Sequence, residues 1–323
     1  MSLLPLPLTG GALVMDNSTA EHFTTCPRSG QYYFIDKREL SGRKAALHFG
    51  GAIHKALEYR YKSGSIDLTQ SILEGMVEKV RVAYTEWSPE NDDYRSFDYA
   101  VRALLHYQRI YPFEDFQIAD LNGHPAVEIP FAVSLGEIPV NATITTRETT
   151  SGLVETKYHT LLPVVWKGKK DMIVRREGPL YPLDHKTTSM GGPSYWSEFD
   201  LSHQVHGYSW AAEDLFHEAV AGFIINGLVC RKPSKTGVPF EFERKTVMIH
   251  RENLEEWHRD TMHILATVIQ MYLTGYFPKH TKWCNGKYGP CKYRDVCTSL
   301  PSNREMVLAS SLFQNVTWDP LNE

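Results

Sequence analysis

Pro179-Leu180-Tyr181-Pro182-Leu183-Asp184-His185-Lys186-Thr187 is the stretch on which the fold turns. An apolar lead runs into Asp184. The period-two alternation of a strand then sets Asp184 and Lys186 on one face and Leu183 and His185 on the other, with the His185 carbonyl left available as a ligand. An acid-x-Lys pair is a weak signal alone, because the sequence repeats it at Glu155-Thr156-Lys157 and Glu243-Arg244-Lys245. Context separates them. The first repeat lies in a polar, Thr-rich segment, 143–160, read as a loop or ragged hairpin. The second sits on the alternating strand Phe240-Glu241-Phe242-Glu243, whose charges are expected on its solvated face. Asp184 also has an upstream acid, Asp171, ahead of Met172-Ile173-Val174, and a hairpin would bring both carboxylates to one sheet edge.

Outward from this stretch, apolar spacing predicts helices at 50–61, 69–86 and 94–111, stopped by Trp87-Ser88-Pro89 and Tyr111-Pro112. His54 and Glu58 then share one helix face. Strands are predicted at 127–133, 162–166, 171–174 and 180–186, followed by a helix at 201–218, strands at 222–230 and 240–249, and a long helix at 252–274. Gln204 and Tyr208 stand one turn apart on the helix after the Asp184 strand. The order suits an α/β protein with a mixed central sheet flanked by helices.

The formal net charge of −4 gives no bulk attraction for polyanions, so any such binding rests on local patches. Basic residues gather at Lys167, Lys169, Lys170, Arg175 and Arg176 around Asp171, and again at Lys279, Lys282, Lys287, Lys292 and Arg294. Tyr195, Trp196 and Tyr288 are candidate stacking surfaces for unpaired bases. No stretch has the apolar length of a membrane span, and the apolar start, Met1 to Met15, lacks the basic lead of a signal peptide. It is read as an uncleaved, loosely structured lead-in to a soluble, cytoplasmic protein. No Gly-x-x-x-x-Gly-Lys-Ser/Thr run is present, so no nucleotide-driven motor is expected within the chain.

Hydrolysing a phosphodiester needs cations against the developing charge and an activated water, which is what carboxylates next to a lysine supply. At this point the residues resemble the PD-(D/E)xK nucleases of the RecB-like branch. Gly51-Ala52-Ile53-His54-Lys55-Ala56-Leu57-Glu58 is similar to that branch's Gly-x-x-His-x-x-Leu-Glu helix, in which the histidine is a metal ligand. Asp171 and Asp184-x-Lys186 resemble its metal carboxylates and catalytic lysine, and Gln204-Val205-His206-Gly207-Tyr208 its Gln-x-x-x-Tyr motif near the substrate. Glu128 is similar to an acid on the first core strand, and Gly168 stands three before Asp171. The resemblance implies a restriction-endonuclease-like core with an N-terminal helical insertion. Asp171, Asp184 and Lys186 would be catalytic, and His54, Asp171, Asp184 and the His185 carbonyl would hold Mg2+ or Mn2+. Gln204 and Tyr208 would touch substrate.

Five cysteines, an odd number in a chain without a secretory leader, argue against a disulfide framework. Cys284, Cys291 and Cys297 cluster late, and Cys26 lies far ahead in Thr25-Cys26-Pro27-Arg28. Four thiolates could close one site. Without a Cys-x-x-Cys pair a zinc ribbon is disfavoured, although zinc stays chemically permissible, and an iron–sulfur cluster fits better. The resemblance sharpens this reading, because the nucleases of the AddAB helicase-nuclease and the CRISPR-associated exonucleases hold a 4Fe-4S cluster with one cysteine before the core and three after it. Cys230, in an apolar run, is read as a buried small hydrophobe.

The chain is thus expected to divide into a lead-in (1–25), a helical region with the first cluster cysteine (26–125), a nuclease core (126–275) and a Cys-rich iron–sulfur segment with its tail (276–323). Its expected activity is metal-dependent hydrolysis of DNA, as an exonuclease on ends or single strands in recombination or repair, with a helicase or recombination partner. The competing expectation is a non-catalytic DNA-binding or scaffold subunit of a helicase-nuclease or integration complex.

Overall fold

The computed structural model describes residues 8–9, 11–42, 44–63, 68–88, 94–148, 152–235, 237–286 and 289–316, without the side chains of 8, 9 and 142–158. In chain order its main elements are β1 (Ala12–Met15), α1 (Asn17–Thr25), α2 (Ala45–Lys62), α3 (Gln70–Glu86), α4 (Phe97–Ile110), β2 (Val127–Glu148) and β3 (Gly152–Arg175). These are followed by β4 (Leu180–Thr188), α5 (His203–Phe216), β5 (Gly222–Cys230), β6 (Phe240–Met248) and α6 (Arg251–Thr274). Residues 1–41, 132–168 and 255–323 form one compact unit, and 42–131 with 169–254 form the other. The compact units therefore do not follow the four consecutive segments expected from chain order. In particular, the His54 helix belongs to the same unit as the strands of Asp171 and Asp184.

In the second unit, β3 pairs antiparallel with β4, β4 parallel with β5, and β5 antiparallel with β6, a mixed sheet. The parallel pair is joined through α5, the crossover that parallel neighbours require. β5 is buried at every position, which explains why its sequence reads as an unbroken apolar run. Phe49, Ile53 and Leu57 of α2 share a core with Leu104 of α4 and with Met172, Val174, Leu183, Ile224 and Leu228 of the sheet. A second core joins Ile173, Leu180, Ile225 and Val229 to Val205 and Ala212 of α5. The sheet is therefore flanked by helices, consistent with a restriction-endonuclease-like core. Helix starts are fixed locally: Thr69 accepts from the Ile72 N–H, Ser96 from Tyr99 and Ser202 from Val205.

The first unit departs from expectation at two places. The lead-in is not loose from Ala12 onward: β1 pairs in parallel with β3, Leu13 against Val164 and Met15 against Trp166, and both Leu13 and Met15 are buried. Asp16 then caps α1 through the Thr19 N–H at 2.7 Å. Of the two readings of 143–160, the loop does not hold for the described residues, because β2 and β3 are long paired strands, and the expected strands 162–166 and 171–174 are one element. Polar Thr-rich composition reads as loop in a single sequence, but threonine is also a good strand former. Trp166 packs edge-on against Trp257 at 5.3 Å, and the strand Arg38–Leu40 pairs with Phe313–Asn315, so segments distant in sequence meet within this unit. Among the described residues, no helix is long and apolar enough to cross a membrane.

Candidate active site

Antiparallel register sets Met172 opposite Leu183, which brings Asp171 and Asp184 to neighbouring positions on β3 and β4. α2 presents His54 to them, with its Nδ1 3.5 Å from Asp171 Oδ2. On β4, the Lys186 ammonium lies 2.7 Å from Asp184 Oδ2. Gln204, in the first turn of α5, ties the pair together: its Oε1 accepts from Lys186 Nζ at 2.7 Å and its Nε2 donates to Asp184 Oδ1 at 2.8 Å. The structure thus gathers His54, Asp171, Asp184, Lys186 and Gln204 into one constellation.

Buried charges sort themselves by partner. Burial works against the His54 cation, but the Asp171 charge beside it prevails and lifts the imidazole to about 9. Burial likewise opposes ionisation of Asp171, yet His54 and the His185 region hold that carboxyl well below the usual range. Asp184 goes the other way, pushed up by burial and by Asp171, against Lys186. Lys186 is raised by Asp184 despite burial, so it stands as a charged donor at neutral pH.

His185 serves the site through its backbone. Its N–H donates to Asp171 Oδ2 at 2.7 Å, and in extended backbone the carbonyl of the same residue leaves the strand on the same side, toward Asp171. Its ring is buried, stacked parallel on Tyr61 at 5.7 Å and edge-on to His54 at 5.9 Å. Asn226 Nδ2 donates to His185 Nδ1 at 2.7 Å, so the ring is neutral with its proton on Nε2, and burial holds it down at about 3. Behind it Asn226 also meets Tyr107 and Arg244 at 2.9 and 3.1 Å, and Glu114 accepts from Tyr61 and is ion-paired with Arg60 and Arg244. The sequence reading passed over this network. Asn226, a lone amide in an apolar strand, is the signal that could have revealed it.

Glu128 pairs with Lys169 at 2.7 Å and adopts a left-handed backbone, φ 55°, that a non-glycine residue rarely takes. Burial raises its carboxyl, and the neighbouring charges of Asp171 and Glu58 add to that rise. Tyr208 packs edge-on against Phe131 at 5.3 Å, on the helix that carries Gln204. Several expected DNA contacts are otherwise engaged. Lys170 is buried with its ammonium 3.9 Å above the Phe131 ring, and Arg175 and Arg176 are ion-paired with Glu218 and Asp115. Trp196 is buried over Gly227, where a Cβ would stand 2.1 Å from the indole, so it is core and not a stacking platform for a base. Lys245 of the lookalike motif turns to Asp200. Lys287 and Tyr288 lie outside the described residues.

In the first unit, Cys26, Cys284, Cys291 and Cys297 line one cavity of about 50 Å³ together with Ser29, His280 and Trp283. The thiol of Cys26 accepts from the His280 N–H and that of Cys291 from the Tyr293 N–H, both at 3.5 Å. Burial raises Cys291 and Cys297, and each also feels the charge of its neighbouring thiols. Cys230 is buried apart from them. Two carboxylates, an imidazole and a carbonyl suit a hard divalent cation, and four convergent thiols suit a softer centre. Among the described residues, no group of three or more His, Cys, Asp or Glu side chains is placed closely enough to hold a metal ion.

No curated protein matches the sequence. Among solved structures, the chain is similar to a candidate exonuclease from Eubacterium rectale, at TM-score 0.47 and 13% identity over 89% of this chain and 88% of that one. The PD-(D/E)XK nuclease superfamily matches residues 17–298, a span that includes both aspartates, the lysine, His54, Gln204 and all five cysteines, and the chain belongs to that superfamily.

Proposed function

We propose that the chain is a Mg2+- or Mn2+-dependent deoxyribonuclease of the RecB-like branch, an exonuclease acting on DNA ends or single strands in recombination or repair. The observation that carries this reading is Gln204 bound at once to Asp184 and Lys186, with Asp171 and His54 alongside. Members of the superfamily generally use Mg2+ or Mn2+. Here Asp171, Asp184, His54 and the His185 carbonyl would hold the ion, which when bound supplies Lewis acidity at the scissile phosphate and an acidified water. Lys186, charged and held by Asp184 and Gln204, donates to the attacking water and to the oxygens that gain charge, and this favours the electrostatic role over that of base. Asp171 keeps its negative charge through the pH range of the reaction.

The four cysteines at one cavity would hold a 4Fe-4S cluster, with zinc as the alternative the same thiols allow, and the centre would staple segments from both ends of the sequence. With no motor motif in the sequence, double-stranded substrate would be opened by a helicase partner. The test compares wild type with Lys186→Ala on end-labelled single- and double-stranded DNA in Mg2+ or Mn2+. The expected loss in kcat is about 10²–10³-fold; equal rates in the two proteins would remove the catalytic assignment.

A further inference from the structure

A cavity of about 560 Å³ lies in the first unit, and it shares no lining residue with the four-cysteine cavity. Arg28 comes from the turn after α1, Arg38 from the strand that follows, and Arg304 from the late helix Arg304–Leu308. Each guanidinium is placed without being neutralised. Arg28 Nε donates to the Phe277 carbonyl at 2.7 Å and Arg38 to Asn315 at 2.9 Å, while Arg304 Nε is buried with no hydrogen-bond partner among the described residues. Among the described residues, none of the three lies within ion-pair distance of a carboxylate. Of the other described arginines, those at 60, 81, 175, 176, 231, 244 and 251 are ion-paired.

We propose that this cleft is a second anion site, in which Arg28, Arg38 and Arg304 bind phosphate groups of a nucleic-acid strand. The guanidinium fork matches phosphate oxygens two at a time, and three unneutralised forks around one cavity are more than solvation of a surface requires. The cavity falls in the size range of built ligand sites. The competing acids are Asp36 and Glu305. Burial pushes Asp36 up to about 6, with Glu305 adding to the rise and Arg28 and Arg38 opposing it, so one competitor is already weakened. The nature of the strand rests on the nuclease reading, but the cleft does not.

Binding is measured on the full chain in EDTA, by fluorescence anisotropy with a single-stranded oligonucleotide of about 20 nucleotides across a salt series. Arg304→Gln and Arg38→Gln should each weaken binding about fivefold or more and lower the slope of log affinity against log salt by roughly 0.7. Glu305→Gln should tighten it about two- to threefold, a gain that misfolding cannot imitate. Oligonucleotides with a 5′-phosphate and a 5′-hydroxyl separate the sources: a loss confined to the first assigns a terminal phosphate, an equal loss the internal diesters. Variants that melt like wild type and bind with wild-type affinity and slope overturn the proposal, even if wild type cleaves DNA in Mg2+. A wild type that cleaves nothing while the arginine variants bind less keeps the cleft and removes the nuclease reading.

Discussion

Gln204 accepts a hydrogen bond from the Lys186 ammonium at 2.7 Å while its amide donates to Asp184, so one uncharged side chain fixes both the carboxylate and the ammonium of the Asp-x-Lys motif. Gln204→Ala should therefore lower kcat about 10–100-fold with the melting temperature nearly kept, since second-tier partners of metal ligands carry effects of that size. Gln204→Glu should act differently: a carboxylate next to Asp184 can no longer donate to it, and divalent-ion affinity should change with kcat. A Gln204→Ala enzyme with wild-type kcat would reduce the contact to helix packing.

Glu114 is fully buried between Arg60 at 2.8 Å and Arg244 at 2.6 Å. Glu114→Ala leaves two guanidiniums in a dry core and should destabilise the protein by about 3–5 kcal/mol in urea melts. The same variant should disturb His185 through Asn226, so activity measured well below the melting temperature should fall too.

His22 is stacked on Tyr33 at 5.0 Å and bonded to Ser29, and burial, with the Lys292 charge adding, holds its imidazole down at about 4. The unfolded chain takes up this proton near 6.5, so the contribution is complete above that pH and is lost as pH falls from 6.5 to 4. It amounts to at most about 3 kcal/mol. A melting-temperature series from pH 7 to pH 4 should decline over that window, and His22→Gln should flatten it. An identical decline in the variant would show that other groups govern acid stability.

Cysteine reactivity should split four against one. Cys230 is 3% exposed and its thiol is pushed up to about 12, chiefly by burial, whereas the other four line a cavity. Alkylation of native, chelator-stripped protein should add four groups by mass, with the fifth added only after denaturation. As purified without oxygen, the four should be protected and iron and sulfide should accompany the protein. Zinc without either would replace the cluster.

The sequence was most readable where one rule applied locally. Spacing gave α3, α4, α5 and α6 to within a few residues, because caps at Thr69, Ser96 and Ser202 sit where side-chain chemistry demands. The Asp184 strand was legible for the same reason, and Gln204 lay on the predicted helix. What escaped depends on partners far along the chain. Nothing near Lys170 says that Phe131 will sit beneath its ammonium, and nothing near Trp196 says that Gly227 will make room for its ring. The threonine-rich segment stayed open between loop and ragged hairpin for a related reason, since the pairing that makes it strand is set by the partner strand and not by its own residues.

The four-cysteine cavity has a consequence for biosynthesis. Cys26 leaves the ribosome about 270 residues before Cys297, a delay of roughly 14 to 54 s at ordinary elongation rates. Until the residues from Phe277 onward emerge, Cys26 has no second wall to close against, and Arg28 lacks the Phe277 carbonyl that fixes it. The four-cysteine wall is thus completed only once Cys297 is made, and a nascent chain stalled before Cys284 would leave Cys26 without its three cavity partners, open to whatever oxidant or metal reaches it first.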